Sequence, residues 1–410
     1  MTLLYSVGIR FYYILVAIGS LFNKKARLFI SGRKNVFSTL SAKINTGLPV
    51  IWFHCASLGE FEQGRPVIEK LKKEYPDHQI LLTFFSPSGY EVRKNYKGAD
   101  LVTYLPMDGL RNARKFFELT SPEKIFFVKY EFWYFYLKEA RKRDIPTYSI
   151  SAIFRKEQLF FKWYGRWYRK ILDLFSHIFV QNEDSKNILV EQGINHVSVS
   201  GDTRFDRVKE IASQAKDIPL AAQFAGNHKV IVAGSTWRKD EAMIIRFMEE
   251  TDPGLKLILA PHEVHESNIQ RIVSFCSKIK AIRFSEAKLT TVEKFDVLII
   301  DSIGMLSSLY QYGTIAYIGG GFGKGIHNIL EPASFGLPVF FGPNYHKFKE
   351  AVDLTELQGA FSFNQYSTLF NLLNFYLDHQ DKLKQVGAFV KGYVENNSGS
   401  TSYILQSTMP

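Results

Sequence analysis

The stretch from Ile315 to Pro343, IAYIGGGFGKGIHNILEPASFGLPVFFGP, constrains this chain most. An apolar run, Ile315–Ile318, ends in Gly319, Gly320, Gly321, Gly323 and Gly325. His327, Asn328 and Glu331 follow, then a second apolar run, Pro338–Phe341. That order reads as strand, glycine turn, helix and strand, one unit of a parallel sheet. Ligands of open parallel sheets bind outside the carboxyl ends of strands, where glycine lets backbone approach a phosphate and a helix N-terminus offers unbonded N–H groups. The spacing excludes a Walker A loop, which needs Gly where Ile318 stands and Ser or Thr where Gly325 stands, and no register fits G-x-G-x-x-G. Two readings remain: a phosphate- or nucleotide-facing turn, or a turn without a ligand. On the first, Gly320, Gly321, Asn328 and Glu331 are candidate donor-binding residues. Glu331 lies one helical turn beyond His327 and Asn328 and suits a ribose diol.

The same alternation runs through the chain. Strand-like runs are Leu48–Cys55, Ile80–Phe85, Leu101–Leu105, Lys124–Val128, Ile145–Ser151, His177–Gln181 and Val197–Ser200. After a polar, helix-like stretch to about Asn227 the pattern restarts with Lys229–Ala233, Leu255–Ala260 and Phe295–Ile300, ahead of the glycine unit. The fold class is therefore α/β, with two Rossmann-like domains of parallel strands, which suits a chain of 410 residues. The expected division is 23–215 as an N-terminal acceptor-binding domain, 216–396 as a C-terminal domain for the nucleotide sugar, and 397–410 as a polar tail.

Charge is uneven. The net charge is +11, yet Met1–Gly59 holds no Asp or Glu, while Arg10, Lys24, Lys25, Arg27, Arg33, Lys34 and Lys43 all fall there. Leu3–Phe22 is apolar except for Arg10 and just reaches the ~20 residues a membrane span needs. Its basic cluster follows the apolar run, unlike a secretory signal. Residues 1–22 are expected to be a membrane anchor or interfacial helix, the competing reading being a buried first helix. Phe160, Trp163, Tyr164, Trp167 and Ile171 form an apolar, mostly aromatic stripe at helical spacing, flanked by Lys162, Arg166, Arg169 and Lys170. Such a segment suits an anionic membrane surface or a core helix. No nucleic-acid-binding motif is present. Cys55 and Cys276 make neither a disulfide framework nor a metal spacing.

Glu60 is the sharpest candidate for chemistry. It follows the first strand through Ser57-Leu58-Gly59, so its carboxylate sits at a strand end, placed to take a proton from an attacking hydroxyl. Ser57-x-x-Glu60 is equally a capping box. Ser235 and Thr236 end a strand and offer hydroxyls and amides to a phosphate, or an ordinary N-cap. His262 and His265 follow another strand without a third metal ligand at a telling spacing.

Beside these runs stand WFHCASLGE at Trp52–Glu60, TFFSPSGY at Thr83–Tyr90, EFW at Glu131–Trp133, SISAIF at Ser149–Phe154, VQNEDS at Val180–Ser185, GDTRFD at Gly201–Asp206, AGSTWRKDE at Ala233–Glu241 and DSIGMLSSLY at Asp301–Tyr310. In this order, and with the glycine unit, they resemble the 3-deoxy-D-manno-octulosonic acid (Kdo) transferases of lipopolysaccharide synthesis. The resemblance implies a B-type (GT-B) glycosyltransferase fold, its two domains facing a central cleft. It implies transfer of Kdo from CMP-Kdo to a lipid A precursor, with inversion and without an essential metal or cofactor, on the cytoplasmic face of an inner membrane. It makes Glu60 the catalytic base and Ser235, Thr236, His262, Gly320, Gly321, Asn328 and Glu331 donor-side residues. Ser86, Ser88, Gly89, Glu131 and Arg155 are candidates on the acceptor or Kdo side. The expected partners are CMP-Kdo, the lipid A precursor and an anionic membrane surface, and no nucleic acid.

The sequence departs from the family pattern at three places. Lys129 stands where an acidic residue is common, Pro261-His262-Glu263 where Arg-His-Pro is common, and Gly325-Ile326 ahead of His327-Asn328 where two glycines are common. Two alternatives stay open: a sugar-nucleotide epimerase of related fold, and a non-catalytic protein binding anionic lipid.

Overall fold

The computed structural model describes residues 1–409 except Tyr130, Asp252 and Pro253, and all side chains among them but that of Tyr164. The chain forms two compact units, residues 1–206 with 398–410, and residues 207–397.

The first unit is built on a wholly parallel sheet. Its strands are β1 (Val50–Cys55), β2 (Gln79–Phe84), β3 (Leu101–Tyr104), β4 (Pro122–Val128), β5 (Thr147–Ala152), β6 (His177–Val180) and β7 (Val197–Val199), in the order β3-β2-β1-β4-β5-β6-β7. Every residue of β1, VIWFHC, is buried, as expected of a strand covered on both faces. Alternation sends Trp52 into one core, with Phe116, Phe127 and Tyr136, and Ile51 and Phe53 into the other, with Phe61 and Phe126. The helix Leu58–Glu74 covers the second face.

Three expectations need correction here. The polar tail is a helix, Ser400–Thr408, that buries Ile404 and Leu405 in the first unit's core; Lys70 Nζ donates to Ser402 Oγ at 2.7 Å. Its serines and threonines conceal an apolar stripe. The boundary falls at Asp206/Arg207, inside the helix Thr203–Ser213, and not at 215/216, because Asp206 binds the returning chain at Thr401 N–H (2.7 Å). The aromatic stripe is no continuous helix. Leu159–Phe161 and Trp163–Gly165 are single 3₁₀ turns, the helix is only Arg166–Leu172, Trp163 is 89% exposed, and the Tyr164 side chain lies outside the described residues. Leu159 O lies where any side chain at Gly165 would stand, so the chain folds back there. Residues 1–22 contain the helix Thr2–Gly19, none of whose residues is buried.

The second unit repeats the plan with β8 (Lys229–Thr236), β9 (Leu255–Pro261), β10 (Ala281–Arg283), β11 (Val297–Ile299), β12 (Ile315–Ile318), β13 (Val339–Phe341) and β14 (Ala360–Ser362), all parallel, in the order β10-β11-β9-β8-β12-β13-β14. The edge strands β10 and β14 escape sequence reading, because they are only partly buried and carry no unbroken apolar run. The glycine unit is right in its strands and wrong in its helix. The segment after β12 stays irregular to Ile329, and the helix is only Leu330–Ser334.

Candidate active site

In an open parallel sheet the binding crevice opens where strand order reverses. In the first unit that point lies between β1 and β4. Glu60 follows β1 and Glu131 follows β4, so the two carboxylates flank the switch point. Glu60 sits on the first turn of its helix and is 8% exposed; the Glu131 side chain is 15% exposed. The capping box is only half present. Ser57 makes no side-chain cap bond, and Glu60 Oε2 reaches past it to accept the Ala56 N–H.

Burial, and then the Glu131 charge, raise the Glu60 pKa to about 7, against the Ala56 N–H, His54 and Lys129, which lower it. Burial raises Glu131 to about 7 as well. A carboxylate poised near neutrality is suited to general-base work. A helix N-terminus favours the charged carboxylate, but desolvation outweighs it here.

His54 and Trp133 stand beside this pair in roles that sequence reading did not assign them. His54, fully buried on β1, receives the Trp133 indole N–H at Nε2 (3.0 Å), and its Nδ1 lies 2.8 Å from Thr83 Oγ1. Those partners place the proton on Nδ1. Burial pushes its pKa down to about 3, so it is neutral, with Nε2 3.7 Å from Glu131 Oε2. Lys129 ends β4 with φ +64°, a left-handed backbone uncommon outside glycine. A histidine inside the apolar run LPVIWFHC was the one available signal.

The acceptor-side candidates divide. Ser86 caps the helix Pro87–Arg93, its Oγ accepting Ser88 N–H at 3.3 Å. A Cβ on Gly89 would meet the Phe84 ring at 2.3 Å, so that glycine serves close packing. Phe85, just before Ser86, lies 4.5 Å from the Trp133 ring, which links this loop to the carboxylates. Arg155 is exposed, its N–H donating to Gln158 Oε1 at 3.2 Å.

In the second unit the order reverses between β8 and β12. Ser235 (φ +53°) and Thr236 end β8, and the glycine turn follows β12. The backbones touch there: a Cβ on Gly319 would meet Ser235 O at 2.3 Å, and one on Gly321 the Gly342 N at 2.6 Å. Asp240 ties the two sides together. Its carboxylate accepts Trp237 N–H (3.0 Å), Gly320 N–H (3.0 Å) and Tyr317 O–H (2.9 Å). The Gly320 amide is thus engaged by the protein. Thr236 is buried, with Oγ1 3.4 Å from Glu241 Oε1.

Asn328 and Glu331 do come together, though not on a shared helix face. Asn328 Nδ2 donates to Glu331 Oε1 at 3.0 Å, and Asn328 Oδ1 accepts Leu330 N–H at 3.0 Å. The His262 ring lies 4.7 Å from that of Trp237 and 4.5 Å from that of His327, and Trp237 Nε1–H donates to His327 Nε2 at 3.2 Å. His265 instead caps the helix Glu266–Phe275, so the two histidines do not form a metal pair. Among the described residues no three His, Cys, Asp or Glu side chains gather as a metal site. A cavity of about 210 Å³ adjoins, lined by Thr236, Trp237, Arg238, Glu241, Glu263, Asn268 and Arg271.

Residues 28–207 match the family profile described as 3-deoxy-D-manno-octulosonic-acid transferase (kdotransferase). Over 316 residues the chain is 31% identical to the 3-deoxy-D-manno-octulosonic acid transferase of Aquifex aeolicus, covering 76% of this chain and 80% of that protein. The chain belongs to the Kdo transferase family. The transferase of Chlamydophila psittaci is another relative, 26% identical over 82% of this chain and 78% of its own length. Among solved structures, the UDP-GlcNAc 2-epimerase from Neisseria meningitidis bound to UDP-GlcNAc superposes with a TM-score of 0.61, covering 88% of this chain and 99% of that one at 17% identity. At that identity the likeness is one of fold, the two-Rossmann GT-B plan that this Kdo transferase family member shares. The epimerase alternative therefore draws support only from the fold.

Proposed function

We propose that this protein transfers Kdo from CMP-Kdo to a hydroxyl of a lipid A precursor, with inversion, at the cytoplasmic face of an inner membrane. The observation that carries the mechanism is Glu60 at the β1–β4 switch point, buried, beside a second carboxylate and raised to about 7. Glu60 removes the proton from the acceptor hydroxyl as that oxygen attacks the anomeric carbon of Kdo. The C–O bond to the CMP phosphate breaks, and CMP leaves with the electron pair. CMP is already a good leaving group, so expelling it needs no acid, and the reaction so written calls on no metal or cofactor. General-base assistance of this kind contributes about 10²–10⁴-fold.

Donor binding falls to the second unit. The glycine turn lets the nucleotide approach the backbone, Ser235 presents a hydroxyl at a strand end, and Asn328 orients Glu331 toward the ribose hydroxyls. Pro261 stands where the family commonly has arginine, while His262, its ring against Trp237 and His327, keeps the family's histidine. The acid-free, basic first 59 residues suit a phosphorylated acceptor in an anionic leaflet.

The test is Kdo transfer in detergent from CMP-Kdo to a tetra-acylated lipid A precursor, with product mass read for the wild type and Glu60→Gln. An active wild type with a folded, inactive variant is the expected result. A variant that retains most activity removes Glu60 as the base. An inert wild type with intact CMP-Kdo overturns the transferase reading.

A further inference from the structure

Arg33 stands in the turn between the helices Lys24–Ser31 and Val36–Lys43. Among the described residues no Asp or Glu pairs with it. Its N–H groups go to three backbone carbonyls instead: Nη1 to Phe29 O (2.9 Å), Nε to Leu105 O (2.9 Å) and Nη2 to Phe85 O (2.6 Å). The guanidinium carbon lies 3.6 Å from the centre of the Phe29 ring, 5.0 Å from that of Phe85 and 4.9 Å from that of Tyr104. Burial lowers its pKa to about 10, which leaves it charged at neutral pH. Gly32 lets the turn come this close, since a Cβ there would collide with the Tyr104 ring.

Phe85 directly follows β2, and Leu105 directly follows β3. Arg33 therefore ties the carboxyl ends of two neighbouring strands to the end of one helix, next to the end of β1 that leads to Glu60. A planar guanidinium holds three acceptors in fixed directions, which an ammonium on a flexible stem does not. The contacts continue into the site. The Phe85 ring lies 4.5 Å from that of Trp133, whose indole N–H donates to His54 Nε2 at 3.0 Å; His54 Nε2 lies 3.7 Å from Glu131 Oε2. Burial holds His54 below its usual range; the Glu60 charge opposes this, and the Arg33 charge adds to it.

We infer, on the transfer reading above, that Arg33 is a positioning residue for the reaction: it fixes Phe85, whose ring seats the Trp133 indole on His54 beside the carboxylate pair. Without the fork the loop after β2 loses its anchor, and the indole loses the ring that seats it. Turnover then suffers, while donor affinity, which belongs to the glycine turn of the second unit, does not.

The test measures Kdo transfer by the full chain in Arg33→Lys, Trp133→Phe and the double variant, each normalised to its folded fraction by near-ultraviolet circular dichroism. Arg33→Lys keeps the charge and loses the fork. Its kcat is expected to fall several-fold with KM for CMP-Kdo unchanged. In the Trp133→Phe background it is expected to cost little more, because that path is already broken. Equal fold losses in both backgrounds, or wild-type kcat in Arg33→Lys, overturn the inference. Where Arg33→Lys does not fold, Phe85→Leu decides: it spares the backbone carbonyl that Arg33 binds and removes the ring from Trp133. A loss of kcat that Trp133→Phe absorbs supports the inference, and wild-type kcat overturns it.

A second readout needs no activity. With isotope-labelled tryptophan, Trp133 gives one of five indole N–H signals in the NMR spectrum, assigned by its loss in Trp133→Phe. Arg33→Lys is expected to shift that signal and to leave that of Trp237, in the second unit, in place. An unmoved Trp133 signal overturns the inference. An inert wild type with intact CMP-Kdo overturns the transfer reading, and the indole signal then decides the link from Arg33 to Trp133 by itself.

Discussion

The indole N–H of Trp133 donates to Nε2 of His54 at 3.0 Å, across from the β4 end to the middle of the switch point. This bond fixes the histidine as a neutral acceptor on that side, 3.7 Å from Glu131 Oε2. Removing the indole donor with Trp133→Phe frees His54 to reorient. The expected outcome is a fold that survives, with kcat for Kdo transfer down about tenfold or more and KM for CMP-Kdo little changed. Steady-state kinetics on both substrates check it.

Glu60 and Glu131 set the pH dependence together. A base works only when deprotonated, so kcat is expected to rise with pH through an apparent pKa near 7. The Glu131 charge holds Glu60 up, so Glu131→Gln moves that acidic limb to lower pH. A limb that stays in place in the Glu131→Gln pH–rate profile uncouples the two carboxyls.

The same substitution carries a stability prediction. Glu131 has a folded pKa above its unfolded one, about 7 against 4.5. Between those values the folded chain binds more protons than the unfolded chain, so this group's contribution falls as pH rises through that window. Glu131→Gln removes the penalty. It is expected to melt a few degrees above wild type at pH 8, at roughly 2–4 °C per kcal/mol gained, and to show no gain at pH 4. Scanning calorimetry at the two pH values decides.

Asp240→Asn tests the strut under the glycine turn. The carboxylate accepts three hydrogen bonds, from Trp237 N–H, Gly320 N–H and Tyr317 O–H. An amide has one accepting oxygen, so a buried donor loses its partner at a cost of about 1–3 kcal/mol. The expected result is a lower melting temperature and a several-fold higher KM for CMP-Kdo. Calorimetry and donor titration read the two effects separately.

Gly321→Ala brings a methyl carbon to 2.6 Å from the Gly342 backbone, a contact no side-chain rotation relieves. It is expected to destabilise the protein by about 1–3 kcal/mol and to weaken CMP-Kdo protection against heat. Gly323→Ala meets nothing nearer than 3.5 Å and serves as the control, with near wild-type stability.

Twelve strands were legible because a strand buried on both faces reads as an unbroken apolar run, as VIWFHC and IAYI do. Glu60 was legible because it follows such a run at a fixed distance. His54, Lys129 and Asp240 were not, since their importance lies in partners 29 to 80 positions away. The Ser400–Thr408 helix looked like tail because its Ser and Thr residues mask the two apolar side chains it buries.

The amino-acid sequence by itself determined the α/β class, the repeat of the pattern in two halves, the acid-free basic start and, through ordered motifs, the family. These are properties of local runs and composition, which survive translation along the chain. Only the tertiary structure decided that strand order reverses between β1 and β4 and between β8 and β12. It alone set two carboxylates together, raised both, and withdrew the Gly320 amide to Asp240. The reason is physical: desolvation and pairing depend on which distant residues share a space, and sequence separation does not carry that distance.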